Sequence, residues 1–146
     1  MKFFTRTRYD AIQGESAAAD RDWDLAAADY TRHLARIRDR LPASVQKCCD
    51  LSLHDGIVVS VGQPSSDEFE IVIDATRNPW GPRGRFKLSF IGVTSETLQQ
   101  PSVQDWWLYE EWHLSDAGFA LHVLFEKSEL LVEASALAFE SLNSAR

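Results

Sequence analysis

The spacing of apolar residues changes at Asp50, and no other feature of the sequence restricts the fold as strongly. Before it, Trp23, Ala27, Tyr30, Leu34, Ile37 and Leu41 recur every three or four residues. Such a stripe marks one face of an amphipathic helix, predicted over 20–41. Asp20, Asp22 and Asp24 crowd its first turns and Arg36, Arg38 and Arg40 its last, the order that suits the helix dipole. Pro42 stops it, and 42–49 reads as one or two further helical turns. Ahead of it, Thr5 is placed to cap a short helix through Tyr9 and Ile12 that ends at Gly14.

After Asp50 the period is two. Ile57, Val59 and Val61 predict one strand, Phe69, Ile71 and Ile73 a second, and Phe86, Leu88 and Phe90 a third. The turn cluster at 63–67 sets Val61 opposite Phe69, Val59 opposite Ile71 and Ile57 opposite Ile73. After a polar connection at 95–102, strands are expected over 105–116, 119–126 and 130–140. The last of these could instead finish as a helix, because 133–139 is rich in alanine. Helices followed by strands joined without crossover helices give an α+β class. The expected architecture is N-terminal helices packed on a curved antiparallel β-meander of about six strands, a half-barrel.

A chain of 146 residues suffices for a single domain, 1–146, with a helical part at 1–50 and the sheet at 51–140. The net charge of −7 is concentrated in the second part, where residues 51–146 hold fourteen acidic and six basic groups. Such a surface repels phosphate backbones, so nucleic acid is not an expected ligand and a basic protein is a more plausible one. Cys48 and Cys49 are adjacent, bond to each other only through a strained ring, and read as free thiols in a reducing, cytoplasmic setting. No apolar signal core or membrane-length run is present, so no membrane partner is expected. Oligomeric state is open.

The stretch 105–116 carries three of the five tryptophans. Strict alternation puts Trp106, Leu108, Glu110, Trp112 and Leu114 on one face and Trp107, Tyr109, Glu111 and His113 on the other. Glu110 and Glu111 therefore cannot share one substrate as paired catalytic carboxylates. Glu110 falls among apolar neighbours, where a carboxyl either finds a structural partner, an Arg or a backbone group, or acquires a raised pKa. Keeping Leu121, Val123 and Phe125 on the apolar side demands an even-length hairpin loop, which sets either His113 or Glu111 opposite His122. His113, His122 and Glu111 then share the outer face with Trp107 and Tyr109. Two imidazoles and a carboxylate are donors zinc accepts, but sheet faces commonly carry solvated histidines, so no metal or other cofactor is expected. The patch is either covered by the long helix or offered to a partner.

Two other stretches stand out. His54-Asp55-Gly56 opens the first strand and reads as a turn, with Asp55 bonding nearby backbone and Gly56 free in φ. His54, Asp55 and Glu110 are the candidate buried polar groups. In 78–87, Trp80 lies among Arg77, Arg83 and Arg85 with two prolines stiffening the loop, a composition met in binding hot spots. A Trp80 folded back over the core is the competing expectation. Phosphate loops, nucleophile elbows, His-Glu-x-x-His and calcium loops are absent.

Met1-Lys2-Phe3-Phe4-Thr5 leading to Tyr9, the 51–56 stretch Leu-Ser-Leu-His-Asp-Gly, the 107–111 stretch Trp-Leu-Tyr-Glu-Glu and Leu-His-Val-Leu-Phe at 121–125 resemble an uncharacterised bacterial family, a domain of unknown function. The resemblance spans most of the chain. It implies a small cytoplasmic protein and carries over no catalytic residue.

The expected function is that of a non-enzymatic protein-binding module, in the style of an immunity-type inhibitor of a basic bacterial protein. Trp80, Arg83, Arg85, Trp107, Tyr109, Glu111, His113 and His122 are its candidate contacts. The alternative is a small-ligand-binding or hydrolytic protein with a pocket inside the curled sheet around Glu110 and His54.

Overall fold

The computed structural model describes residues 1–97 and 101–142. Three helices come first: α1 (Arg6–Ile12), α2 (Ala17–Ile37), which runs on into a 3₁₀ turn at Arg38–Arg40, and α3 (Ala43–Gln46). Thr5 caps α1 as expected, its side chain accepting from Arg8 N–H. Eight strands follow: β1 (Ile57–Gly62), β2 (Glu68–Asp74), β3 (Arg85–Ile91), β4 (Ser95–Thr97), β5 (Trp107–Ser115), β6 (Gly118–Phe125), β7 (Glu129–Ala134) and β8 (Ala136–Ser141). The class is α+β and every strand pairing is antiparallel.

The strands form two sheets of four, ordered β1-β2-β3-β8 and β4-β7-β6-β5, where one six-stranded meander was expected. Two local features account for this. The run 130–140 is not one strand: at Ser135 the chain leaves one sheet for the other, and Ser135 N–H donates to Ile91 O at 3.0 Å. The nominal connection 95–102 begins with β4, an edge strand on β7; residues 98–100 of it lie outside the described residues. The sheets meet again where Ile57 bridges Trp106.

Between them lies the core. Phe69, Ile71, Ile73, Leu88 and Phe90 come from the first sheet, and Phe119, Leu121, Val123, Phe125, Leu130 and Val132 from the second. Each such side chain contributes roughly 1.5–3 kcal/mol by leaving water. Ile37, Leu41 and Val45 carry the end of α2 and α3 into the same core.

The register of β1 on β2 differs from the expected one. Val61 pairs with Ile71 and Val58 with Ile73, with a bulge between Val58 and Ser60. The extra residue reverses the inward parity, so Val58 is buried and Val59 is not. In the β5–β6 hairpin a two-residue turn, Asp116-Ala117, sets Glu111 opposite His122 and Trp112 opposite Leu121. The even-length condition holds. A second bulge between Trp107 and Tyr109 turns Trp107 inward to pair with Phe125, so it belongs to the core and not to the outer face. Neither bulge can be read from apolar alternation.

Candidate functional site

β5 is the outer strand of its sheet, so the backbone groups along its free edge need partners. At its start the segment before β1 provides them: Asp55 N–H donates to Trp107 O at 2.9 Å and Trp107 N–H to Gly56 O at 2.8 Å. Farther along, side chains take over. His54 Nδ1 lies 2.5 Å from Leu108 O, so this nitrogen carries a proton and donates it. Trp112 N–H donates to Tyr30 Oη at 2.9 Å, and His33 Nε2 donates to Trp112 O at 3.1 Å. Tyr30 and His33 stand one turn apart on α2, which is how both reach the same residue of the strand.

Between these caps, beside Glu110, is a cavity of about 180 Å³. Five rings line it: Trp80, His54, Tyr109, Phe4 and Tyr30. They form a continuous wall, with centroids 4.9 Å apart from Trp80 to His54, 5.2 Å from His54 to Tyr109, 5.2 Å from Tyr109 to Phe4 and 5.3 Å from Phe4 to Tyr30. Ser52, Leu108 and the Glu110 carboxyl complete the lining.

Burial pushes the Glu110 pKa up to about 7, against the Trp107 indole N–H, which donates to its Oε2 at 2.7 Å, and its own backbone N–H. Among the described residues no Lys or Arg forms an ion pair with it. The partner foreseen as Arg or backbone is chiefly an indole. A carboxyl poised near neutrality donates a proton when neutral and supplies an uncompensated negative charge when ionised.

Trp80 stands at the mouth, 73% exposed and the most exposed of the tryptophans, yet packed on His54. Its loop is fixed by the fully buried Asn78, whose Oδ1 accepts from Trp80 N–H and Gly81 N–H, both at 3.0 Å, and whose Nδ2 donates to Ser52 O. Gly81 passes so close to Ser52 that a Cβ there would lie 1.9 Å from its carbonyl oxygen. The loop is thus pinned to the segment that carries His54.

On the other side of β5, Glu111 is wholly buried under the N-terminal segment. Its Oε1 accepts from Phe3 and Phe4 N–H, both at 2.7 Å, and its Oε2 from Lys2 N–H at 2.9 Å and His113 Nε2 at 2.9 Å. Burial alone would raise its pKa, but the His113 bond and three backbone donors outweigh it and bring it down to about 2. α2 covers this face too: Trp23 meets Tyr109 at 4.7 Å and His33 meets His113 at 4.7 Å. His122 stands 5.0 Å from His113, and burial, the N-terminal amine and His113 push its pKa down to about 4. Ligand atoms of Glu111, His113 and His122 lie within 4.8 Å of one another. Three backbone donors and His113 Nε2 together occupy the acceptor positions of the Glu111 carboxylate, so a metal ion there would have to take the place of the His113 hydrogen bond.

The candidate contacts foreseen from sequence are therefore divided. Trp107, 1% exposed, and Glu111, 0% exposed, lie too deep to touch a partner. His113 and His122 share a face as expected, His113 against Phe3 and His33 of α2. Tyr109 and Trp80 meet at the pocket. Arg85 pairs with Asp74 at 3.1 Å, and Arg83 donates to Asn78 O at 3.3 Å. Of the buried polar candidates, Glu110 and His54 converge on the cavity. The burial of all three is a correction, since each is half-buried; the Asp55 side chain is 37% exposed, with Oδ1 3.5 Å from His54 Nε2. The positive φ of the turn also falls on Asp55, at 62°, and not on Gly56.

Phe4, Tyr30, His33 and Asn78 were not singled out in advance. Phe4 and Tyr30 had signals, the paired aromatics of 1–5 and the helix stripe, but a stripe does not say which strand it meets.

No curated protein and no solved structure matches the chain. One family does match, over residues 6–132, and the chain belongs to it: the family described as a protein of unknown function (DUF4085).

Proposed function

We propose that this protein is a binding protein whose recognition site is the pocket at Glu110. One observation carries the reading: five rings and a carboxyl with no basic partner among the described residues line one cavity at the capped edge of β5. At about 180 Å³ it is smaller than the roughly 300–1,000 Å³ of sites for drug-sized ligands, so it suits one compact head group. The test is ligand-observed NMR with a panel of small cationic, anionic and neutral compounds against wild type and Ser52→Trp, which fills the cavity. Compounds that bind wild type and not the folded variant support the reading; equal binding to both removes it.

A protein partner is the second reading, an immunity-type inhibitor of a basic protein included. The exposed Trp80 on its pinned loop and the net charge of −7 favour it. Capture from native lysate by wild type but not by Trp80→Ala is its expected outcome; identical captures would refute it.

A further inference from the structure

We propose that the ligand of this pocket is an alkylated ammonium group, the head of a choline-type molecule or of a methylated lysine side chain. This rests on the Glu110 cavity being a binding site. An ammonium whose hydrogens are replaced by methyl groups is weakly hydrated and is held by aromatic faces around it with a negative charge nearby. The lining has that composition. Trp80, Tyr109, Phe4 and Tyr30 supply ring surface, and among the described residues no Lys or Arg lines the cavity. A neutral apolar ligand would offer the ionised Glu110 carboxylate no counter-charge, and an anion would oppose it. A cation satisfies it.

The carboxylate also gives the interaction a pH signature. The titratable groups that face Glu110 are Tyr30 from α2, Cys49 after α3, and His54 and Tyr109 in the pocket wall. Burial raises Tyr30 and Tyr109 and pushes Cys49 up to about 11, so these three stay neutral across the range in which Glu110 ionises. Affinity for the cation therefore rises with pH as Glu110 loses its proton near 7. The Glu110→Gln variant separates this from any contribution of His54.

The experiment is titration of the full chain by NMR and calorimetry with choline, with a trimethyl-lysine amide, and with 3,3-dimethyl-1-butanol, the neutral carbon isostere of choline. Expected is binding of at least one ammonium about tenfold or more tighter than the isostere. It should strengthen from pH 6 to pH 8, lose that pH dependence in Glu110→Gln, and weaken in Trp80→Ala, whose exposed position spares the fold. The tighter of the two ammonium compounds identifies the source. Binding of the neutral isostere as tightly as choline would overturn the inference and leave the pocket standing as a site. No binding of any of the three, with no compound of the wider panel binding either, would overturn both.

Discussion

Glu110 and Glu111 are chemically identical neighbours on one strand, and the fold treats them in opposite ways. Glu111 faces the N-terminal segment, where three backbone N–H groups and His113 converge on it and hold its pKa down at about 2. Glu110 faces the cavity, where burial is set chiefly against one indole N–H and its pKa stands at about 7. Burial acts on both. What separates them is the number of donors aimed at each carboxylate, which decides whether an acid drawn out of water is held ionised or kept near neutrality. Glu111 ties the N-terminal segment to one side of β5; Glu110, with fewer donors, lines the cavity proposed above as the binding site.

The largest expected effect breaks the anchor. Glu111→Ala strands three backbone donors, each worth roughly 1–3 kcal/mol when buried and unpaired, so unfolding free energy should fall by about 3 kcal/mol or more. Glu110→Gln at pH 8 should be neutral or stabilising, because it removes a desolvated charge. Urea denaturation of both variants tests the contrast, and equal losses would end it.

The pH dependences should run in opposite directions. Folding lowers the Glu111 pKa, so its contribution is present above its ordinary value near 4.5 and is lost as pH falls towards 2. Folding raises the Glu110 pKa, so its neutral form favours the native state fully below about 4.5, and that advantage is lost as pH rises through 7. Between pH 5 and 8 the wild type should therefore lose stability on the order of 2 kcal/mol that Glu110→Gln does not lose. A flat difference between the two proteins over that range would show that Glu110 is not held neutral by its surroundings.

A smaller change sharpens the same point. Trp107→Phe keeps most of the core volume but removes the chief donor to Glu110, so the Glu110 pKa should move above 7. A carbon-detected NMR titration of the carboxyl reads this directly.

The asymmetry was only partly legible in the sequence. Alternation along 105–116 placed the two glutamates on opposite faces, and the parity of the hairpin placed His113 with His122. Both follow from the period of a strand. The inward turn of Trp107 was not legible, because a bulge adds one residue without changing composition. The two-sheet arrangement is not legible for a related reason: 130–140 is mostly apolar with no turn residue but Ser135, and only the tertiary pairing of β8 with β3 shows that Ser135 is a corner. The pocket was foreseen only as Glu110 and His54 converging. Its aromatic wall is assembled from residues as distant as Phe4 and Tyr109, and helix periodicity says that Tyr30 is buried without saying that it caps Trp112.

The smallest expected effect concerns the mouth of the pocket. Trp80 is 73% exposed and Trp106 38%, while Trp107 and Trp112 are buried. Trp80→Phe should therefore remove the component of tryptophan fluorescence most accessible to iodide while changing stability by less than about 0.5 kcal/mol, as for a surface side chain. The position of the ring against His54, at 4.9 Å, adds a condition. A compound that fills the cavity must pass or displace Trp80, so it should shield this component first and leave the buried tryptophans unchanged. If a bound compound protects Trp106 and not Trp80, the ligand sits in the neighbouring cavity of about 350 Å³ lined by Tyr9, Asp55, Trp106, Leu108 and Glu126, and Glu110 is not its counter-charge.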